Sequence, residues 1–251
     1  MRRFRPIAAP DGRFLLNIGS GNLARPDWNN LDLSIYAELR KHMLLSRILN
    51  IIGILSDERY DKLTSLPSTI IRWDVIKGLP YEDQSFDVIY SSHMLEHIDR
   101  DRVPFVLGHA YRVLKPGGVL RIVVPDLELI IQEYMASLEM PGSTEQHEEA
   151  IDQLFEQMVR REGAGTRNQR FPVRLIDRYL IGSASKRGET HRWMYDRINL
   201  CSVLEKAGFV EIEQTAFDQS RIPGWNSFCL DCNEDGNMHE GSLYMEAIKP
   251  S

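Results

Sequence analysis

Four groups of residues in this chain combine types and spacings that can do chemistry. The first is the apolar run Phe14-Leu15-Leu16 leading into Asn17-Ile18-Gly19-Ser20-Gly21, followed by Trp28-Asn29-Asn30-Leu31-Asp32. Glycine tolerates positive φ and carries no Cβ, so a backbone can turn sharply there and approach a ligand. A carboxylate closing the next strand can accept hydrogen bonds from both hydroxyls of a ribose. Together they point to a nucleotide-type cofactor across the carboxyl edge of a parallel sheet. The second group is His93, Glu96 and His97, which share one face at helical spacing. His-x-x-Glu-His can hold zinc with the Glu as general base, or it can simply brace the floor of a site. The third is His191-Arg192-Trp193-Met194-Tyr195-Asp196, where an imidazole with a pKa near ~6.5 is a natural base at neutral pH. The fourth is Cys229-x-x-Cys232 with His239 beyond it. It lacks a fourth zinc ligand and a thioredoxin-like setting, so neither metal nor redox function is expected of it.

Strand and helix patterns alternate, which favours an α/β fold with a parallel sheet and covering helices. Strands are expected at 14–18, 28–32, 69–73, 86–91, 119–124, 209–217 and 242–248. Residues 86–91 and 119–124 are near-continuous apolar runs, as in strands covered on both faces. A helix is expected over 101–114, ended by the glycines of Lys115-Pro116-Gly117-Gly118. Three stretches exceed ordinary loop length and read as insertions within one domain, 1–251. Residues 34–66 hold an apolar helix over 35–55, expected to be a packed cover or an oligomer contact. Residues 127–190 should form a helical cover, and 218–241 a loop rich in Pro, Gly and Asn. The last two would rise on the ligand side of the sheet.

The 251 residues carry a formal charge of −6, which opposes a nucleic-acid footprint. The basic start Arg2-Arg3-Phe4-Arg5 has no apolar run behind it, and no apolar stretch reaches the ~18 residues of a membrane span. Three cysteines do not make a disulfide framework. A cytoplasmic protein is the expectation.

Several motifs in order resemble those of class I S-adenosylmethionine-dependent methyltransferases. They are Asn17 to Asp32, Trp73-Asp74, Leu79-Pro80-Tyr81-Glu82-Asp83-Gln84-Ser85-Phe86-Asp87, Ser92-His93-Met94-Leu95-Glu96-His97 and Arg112-Val113-Leu114-Lys115-Pro116-Gly117-Gly118. Within that superfamily the chain is similar to the type 11 branch. Pro125-Asp126-Leu127-Glu128, the His191 segment and Ser242-Leu243-Tyr244-Met245-Glu246-Ala247 are similar to a bacterial subgroup encoded beside glycosyltransferases. The resemblance implies a Rossmann-like seven-stranded sheet whose last strand is antiparallel. It implies S-adenosylmethionine, leaving as S-adenosylhomocysteine, held by Asn17, Gly19, Ser20, Gly21, Asp32, Asp74, Val75 and Ser92. Asp74 would meet the adenine amino group and Val75 the purine face. The short spacing from the glycines to Asp32 argues against NAD, whose folds place the acid ~20 residues on.

His93 and His191 are the candidate bases, and Asp126, Arg192, Trp193 and Tyr195 the candidate acceptor contacts. No metal is expected, although some related O-methyltransferases hold a divalent ion at this helix. The expected acceptor is a hydroxyl of a sugar, glycan or other hydroxylated small metabolite. Nitrogen or carbon methylation of a natural-product intermediate, an idle cofactor-binding module and a zinc hydrolase through His93-x-x-Glu96-His97 are the alternatives. A second copy of the chain is left open as a partner.

Overall fold

A computed structural model describes residues 3–139, 144–158 and 191–251. Among the described residues nine strands run in chain order: β1 Leu15–Ile18, β2 Asn29–Asp32, β3 Ile71–Arg72, β4 Phe86–Ser92, β5 Leu114–Pro125, β6 Val210–Thr215, β7 Cys232–Asn233, β8 Gly236–Asn237 and β9 Ser242–Ile248. Seven form one sheet in the order β3-β2-β1-β4-β5-β9-β6, and β7 pairs with β8 in a small hairpin. Neighbours from β3 to β5 pair in parallel, whereas β9 is antiparallel to both β5 and β6. This is the Rossmann-like α/β sheet expected, with its last strand reversed.

The chain leaves β1 towards β2 and β3 on one side and returns to β4 on the other. The strand order therefore reverses between β1 and β4, the crevice where α/β folds bind ligands. Ile18, Asp32, Ser92 and Pro125 end their strands on that carboxyl edge.

The expected doubly buried strands are present: β1 is buried throughout, and β4 and β5 nearly so beyond their first residues. Alternate side chains enter two cores. Leu16, Ile18, Ile89, Leu120, Ile122 and Val124 pack with the inward face of α4 (Val103–Val113) and with Leu200 and Leu204 of α7 (Arg197–Lys206). Leu15, Val88, Tyr90, Val123 and Tyr244 pack on the opposite face against Trp28, Ile222, Trp225 and Leu230. The segment after β6 thus covers half of the sheet.

A buried polar cluster fastens that segment. Arg121 of β5, with no exposed side-chain surface, contacts Asp231 and Glu246 at 2.8 Å each. It also donates to the carbonyls of Ala216 at 2.8 Å and Gln219 at 2.9 Å. Tyr90 donates to Asp231 at 2.5 Å, and Ser220 to Glu246 at 2.5 Å. Each buried charge therefore has an opposite charge and further hydrogen bonds, the condition for keeping such charges inside.

Three expectations need correction. The helix over 35–55 is two helices, α1 Ile35–Leu39 and α2 Met43–Ile51, followed by α3 Asp57–Ser65. At the break the Ser46 hydroxyl donates to Leu39 O at 2.8 Å, satisfying the last carbonyl of α1, and Arg40 Nε reaches out to Leu66 O at the end of α3 at 2.7 Å. On α2, Leu44, Ile48 and Ile51 remain exposed. The helix before Lys115 ends at Val113 rather than at the glycines, and β5 starts at Leu114 with a register shift against β4 before Val119. Gly117, at φ 74°, sits in that irregular start, and Lys115 holds Asp87 at 2.7 Å. The third expected strand shrinks to Ile71–Arg72.

The expected cover after β5 is helical where it is described, as α5 Leu127–Glu139 and α6 Thr144–Met158. Residues 159–190 of that expectation lie outside the described residues. Among the described residues no helix is long and apolar enough to cross a membrane.

Candidate active site

The turn after β1 is built for close approach. Gly19 adopts φ 72° and Gly21 φ 45°, both left-handed. The amides of Gly19 and Ser20 donate to Leu31 O at 2.8 and 3.1 Å, tying the turn to β2. A Cβ on Gly19 would lie 2.6 Å from the Met94 side chain, whereas one on Gly21 would meet no atom within 4 Å. Glycine at 19 is thus demanded by packing, and Gly21 faces open space.

Asp32 ends β2 beside this space. Its Oδ2 accepts the Gly21 amide at 2.7 Å and its Oδ1 the Ser34 amide at 2.6 Å. Each carboxylate oxygen can accept about two hydrogen bonds, so each keeps one lone pair for a ligand hydroxyl. Burial pushes this carboxyl above the ordinary range, against the pull of the two amides. Asp74 lies two residues beyond β3. Its side chain accepts the Ile76 amide at 3.2 Å and so caps the turn Val75–Lys77. Asn17 is buried and donates to Leu23 O at 3.2 Å, and the buried Ser20 hydroxyl has no hydrogen-bond partner.

At the end of β4, Ser92 Oγ lies 3.4 Å from His239 Nε2, and His93 takes φ 47°, a left-handed conformation uncommon outside glycine. His93 Nε2 is 3.1 Å from Ser242 Oγ, and Nδ1 is 3.4 Å from the Glu96 carboxylate. Glu96 has no exposed surface, and His97 Nε2 approaches the same carboxylate oxygen, Oε1, at 3.9 Å. Burial alone would raise the Glu96 carboxyl. The two imidazoles beside it more than offset that, and it titrates below its usual range. His191 meets this group from the cover: its ring packs edge-on against His97 with centroids 4.8 Å apart. The Glu96 carbonyl accepts the amides of Arg192 at 2.7 Å and Trp193 at 3.3 Å, which fixes the 191–193 segment over the turn Leu95–His97.

Residues 30–214 match a family model described as a methyltransferase domain. The chain belongs to that methyltransferase family. It is similar to the "Probable methyltransferase ltbC" of Aspergillus luteorubrus, 37% identical over 57 residues, which is 22% of this chain and 20% of that protein. Among solved structures, a complex of DhpI with S-adenosylhomocysteine has 13% identity and a TM-score of 0.45, over 94% of this chain and 76% of that one. Phosphoethanolamine N-methyltransferase 2 of Haemonchus contortus, with phosphomonomethylethanolamine and S-adenosylhomocysteine, has 17% identity and a TM-score of 0.42. That likeness covers 98% of this chain and half of that protein.

The fold thus brings Gly19, Gly21, Asp32, Ser92, His93 and His191 to the carboxyl edge. The expected acceptor contacts Asp126, Arg192, Trp193 and Tyr195 each have partners within the protein. Tyr195 is buried in the core, Arg192 pairs with Asp99 at 2.7 Å, and Trp193 carries the Arg100 guanidinium 4.1 Å above its ring. Asp126 accepts the Glu128 amide at 2.9 Å at the start of α5, and burial raises its carboxyl. Two further residues join the site to which the sequence assigned no role in it, His239 and Ser242. The His239 ring lies 5.0 Å from that of His93, and burial, followed by the nearby His93, holds its pKa down. The one available signal is position: both flank the start of β9, which the reversed last strand places at the carboxyl edge.

Proposed function

We propose that this methyltransferase carries a methyl group from S-adenosylmethionine to a hydroxyl oxygen of a sugar, glycan or other hydroxylated small metabolite. The observation that carries the reading is Asp32, whose two oxygens are each half satisfied at the edge of the open turn at Gly21. That arrangement suits a ribose. The unpartnered Ser20 hydroxyl and the backbone of the Gly19–Gly21 turn offer further contacts to the polar end of the same cofactor.

When bound, the sulfonium supplies an activated methyl carbon. The chain must align the acceptor and take its proton. His93 is placed to do so. The Glu96 carboxylate accepts only, so Nδ1 carries the proton towards it and Nε2 keeps its lone pair. An acceptor hydroxyl replacing Ser242 at Nε2 would pass its proton there as its oxygen bonds the methyl carbon. The carbon–sulfur bond breaks, leaving a neutral thioether. Glu96 orients the ring and stabilises the imidazolium, and the partly buried Met94 side chain over Gly19 narrows water access to this end of the turn.

Calorimetric titration with S-adenosylhomocysteine, and with NAD in parallel, tests the cofactor. Binding of the sulfur compound alone supports the reading, and binding of NAD alone overturns it. Product analysis with labelled S-adenosylmethionine across monosaccharides, phenols and amines then tests the acceptor. Label that appears on amines only would replace oxygen by nitrogen.

A further inference from the structure

We propose that Glu96, His97 and His191 form a binding site for one divalent first-row transition ion. One carboxylate oxygen and one ring nitrogen from each imidazole lie within 4.8 Å of one another. An ion with bonds of about 2.1 Å holds tetrahedral ligands about 3.4 Å apart, so the widest pair has to close by up to about 1.4 Å. Side-chain rotation supplies that.

Two independent features favour an ion over a chance cluster. Glu96 is wholly buried and neither of its carboxylate oxygens has a hydrogen bond of good geometry. A buried carboxylate so placed is costly unless a cation completes it. The second is backbone preorganisation. The Glu96 carbonyl holds the amides of Arg192 and Trp193, so the peptide that carries one ligand also fixes the segment that carries another. His93 Nδ1 stands 3.4 Å from the same carboxylate, within reach to become the outer partner that ligating carboxylates usually have.

Two nitrogens and one oxygen suit zinc, manganese or iron(II) better than magnesium or calcium, which prefer oxygen alone. Three protein ligands leave at least one position open, the pattern of a catalytic rather than a structural site. A hydroxyl bound there would become more acidic beside His93. That use rests on the methyl-transfer reading above, whereas the site itself does not.

The test is titration of the chelator-treated full chain with Co2+, followed by visible absorption, then displacement by Zn2+, with S-adenosylhomocysteine calorimetry on the same metal-free sample. One equivalent should bind with ligand-field bands and be displaced by Zn2+. His191→Ala and His97→Ala should each weaken binding at least tenfold, and the Cys229→Ser/Cys232→Ser double variant should bind as the parent does. Because His97 keeps some exposed side-chain surface, His97→Ala keeps the test valid even if Glu96→Gln fails to fold. Absence of stoichiometric binding, or binding lost only in the cysteine variant, overturns the site. Metal binding without any S-adenosylhomocysteine binding would sink the methyl-transfer reading and leave the site standing. The converse would sink the site alone.

Discussion

The Asp32 carboxylate accepts the backbone amide of Gly21 at 2.7 Å, eleven residues earlier in the chain. The acid proposed to hold the ribose therefore also shapes the turn that admits the cofactor. Asp32→Asn removes the charge and one acceptor position while keeping the shape. Hydrogen bonds to charged groups contribute about 1.5–3 kcal/mol, so S-adenosylhomocysteine should bind roughly 10- to 100-fold more weakly. A pH dependence follows. Burial raises the Asp32 carboxyl above the ordinary range. Ligand affinity should be full above that raised value and fall as the pH drops through it, beginning at higher pH than an exposed Asp would give. Calorimetry between neutral and mildly acidic pH checks this, with Asp32→Asn as the flat control. An identical pH profile for parent and variant would remove Asp32 from the site.

The two glycines of the turn should respond differently to alanine. Both sit at positive φ, so each pays about 1–2 kcal/mol of backbone strain. Gly19→Ala also drives a methyl group into Met94, adding roughly 1–3 kcal/mol of overpacking. Gly21→Ala meets open space and should cost less stability, but it places a methyl group where the cofactor is proposed to lie. Thermal unfolding should rank Gly19→Ala as the less stable variant. Calorimetry should show Gly21→Ala losing affinity out of proportion to its small loss of stability. Unchanged affinity in Gly21→Ala would mean that the cofactor does not cross this turn.

The sheet and the turn were legible because their causes are local. Apolar runs such as 86–91 and 119–124 announce doubly covered strands, and Gly19, Gly21 and Asp32 announce themselves by type and spacing. What the sequence hid depends on contacts between distant segments. The helix over 35–55 looks continuous by hydropathy, yet Arg40 reaching Leu66 O goes with a break no local signal marks. Arg121 interrupts an apolar strand, and only the fold supplies its partners Asp231 and Glu246, 110 and 125 residues away. In the candidate site, His93 and His191 were picked out by chemistry. His239 and Ser242 were not, because nothing short of the β9 pairing brings them there.

That buried cluster carries its own prediction. Asp231→Ala would leave the Arg121 guanidinium inside the protein with one of its two carboxylates gone. Breaking a buried pair by removing one partner costs about 3–5 kcal/mol, or roughly 6–20 °C in Tm for a chain of this size. The 216–241 segment should loosen with it, which hydrogen exchange would report as faster exchange at Leu230 and Met238. A Tm close to that of the parent would show that water or Glu246 alone satisfies the arginine.

His93 offers the sharpest separation of chemistry from folding. Its left-handed φ of 47° is strained for most side chains but tolerated by asparagine. His93→Asn therefore keeps the backbone and a polar group while abolishing the base. Loss of a general base typically lowers turnover by about 10²- to 10⁴-fold. Once an acceptor is in hand, kcat for His93→Asn should fall by that order, while S-adenosylhomocysteine affinity changes by no more than a factor of a few. His93→Ala should lose the same turnover and also some stability, since alanine fits that backbone less well. If His93→Asn keeps full turnover across the pH range, proton removal by His93 is wrong, and alignment alone accounts for the rate.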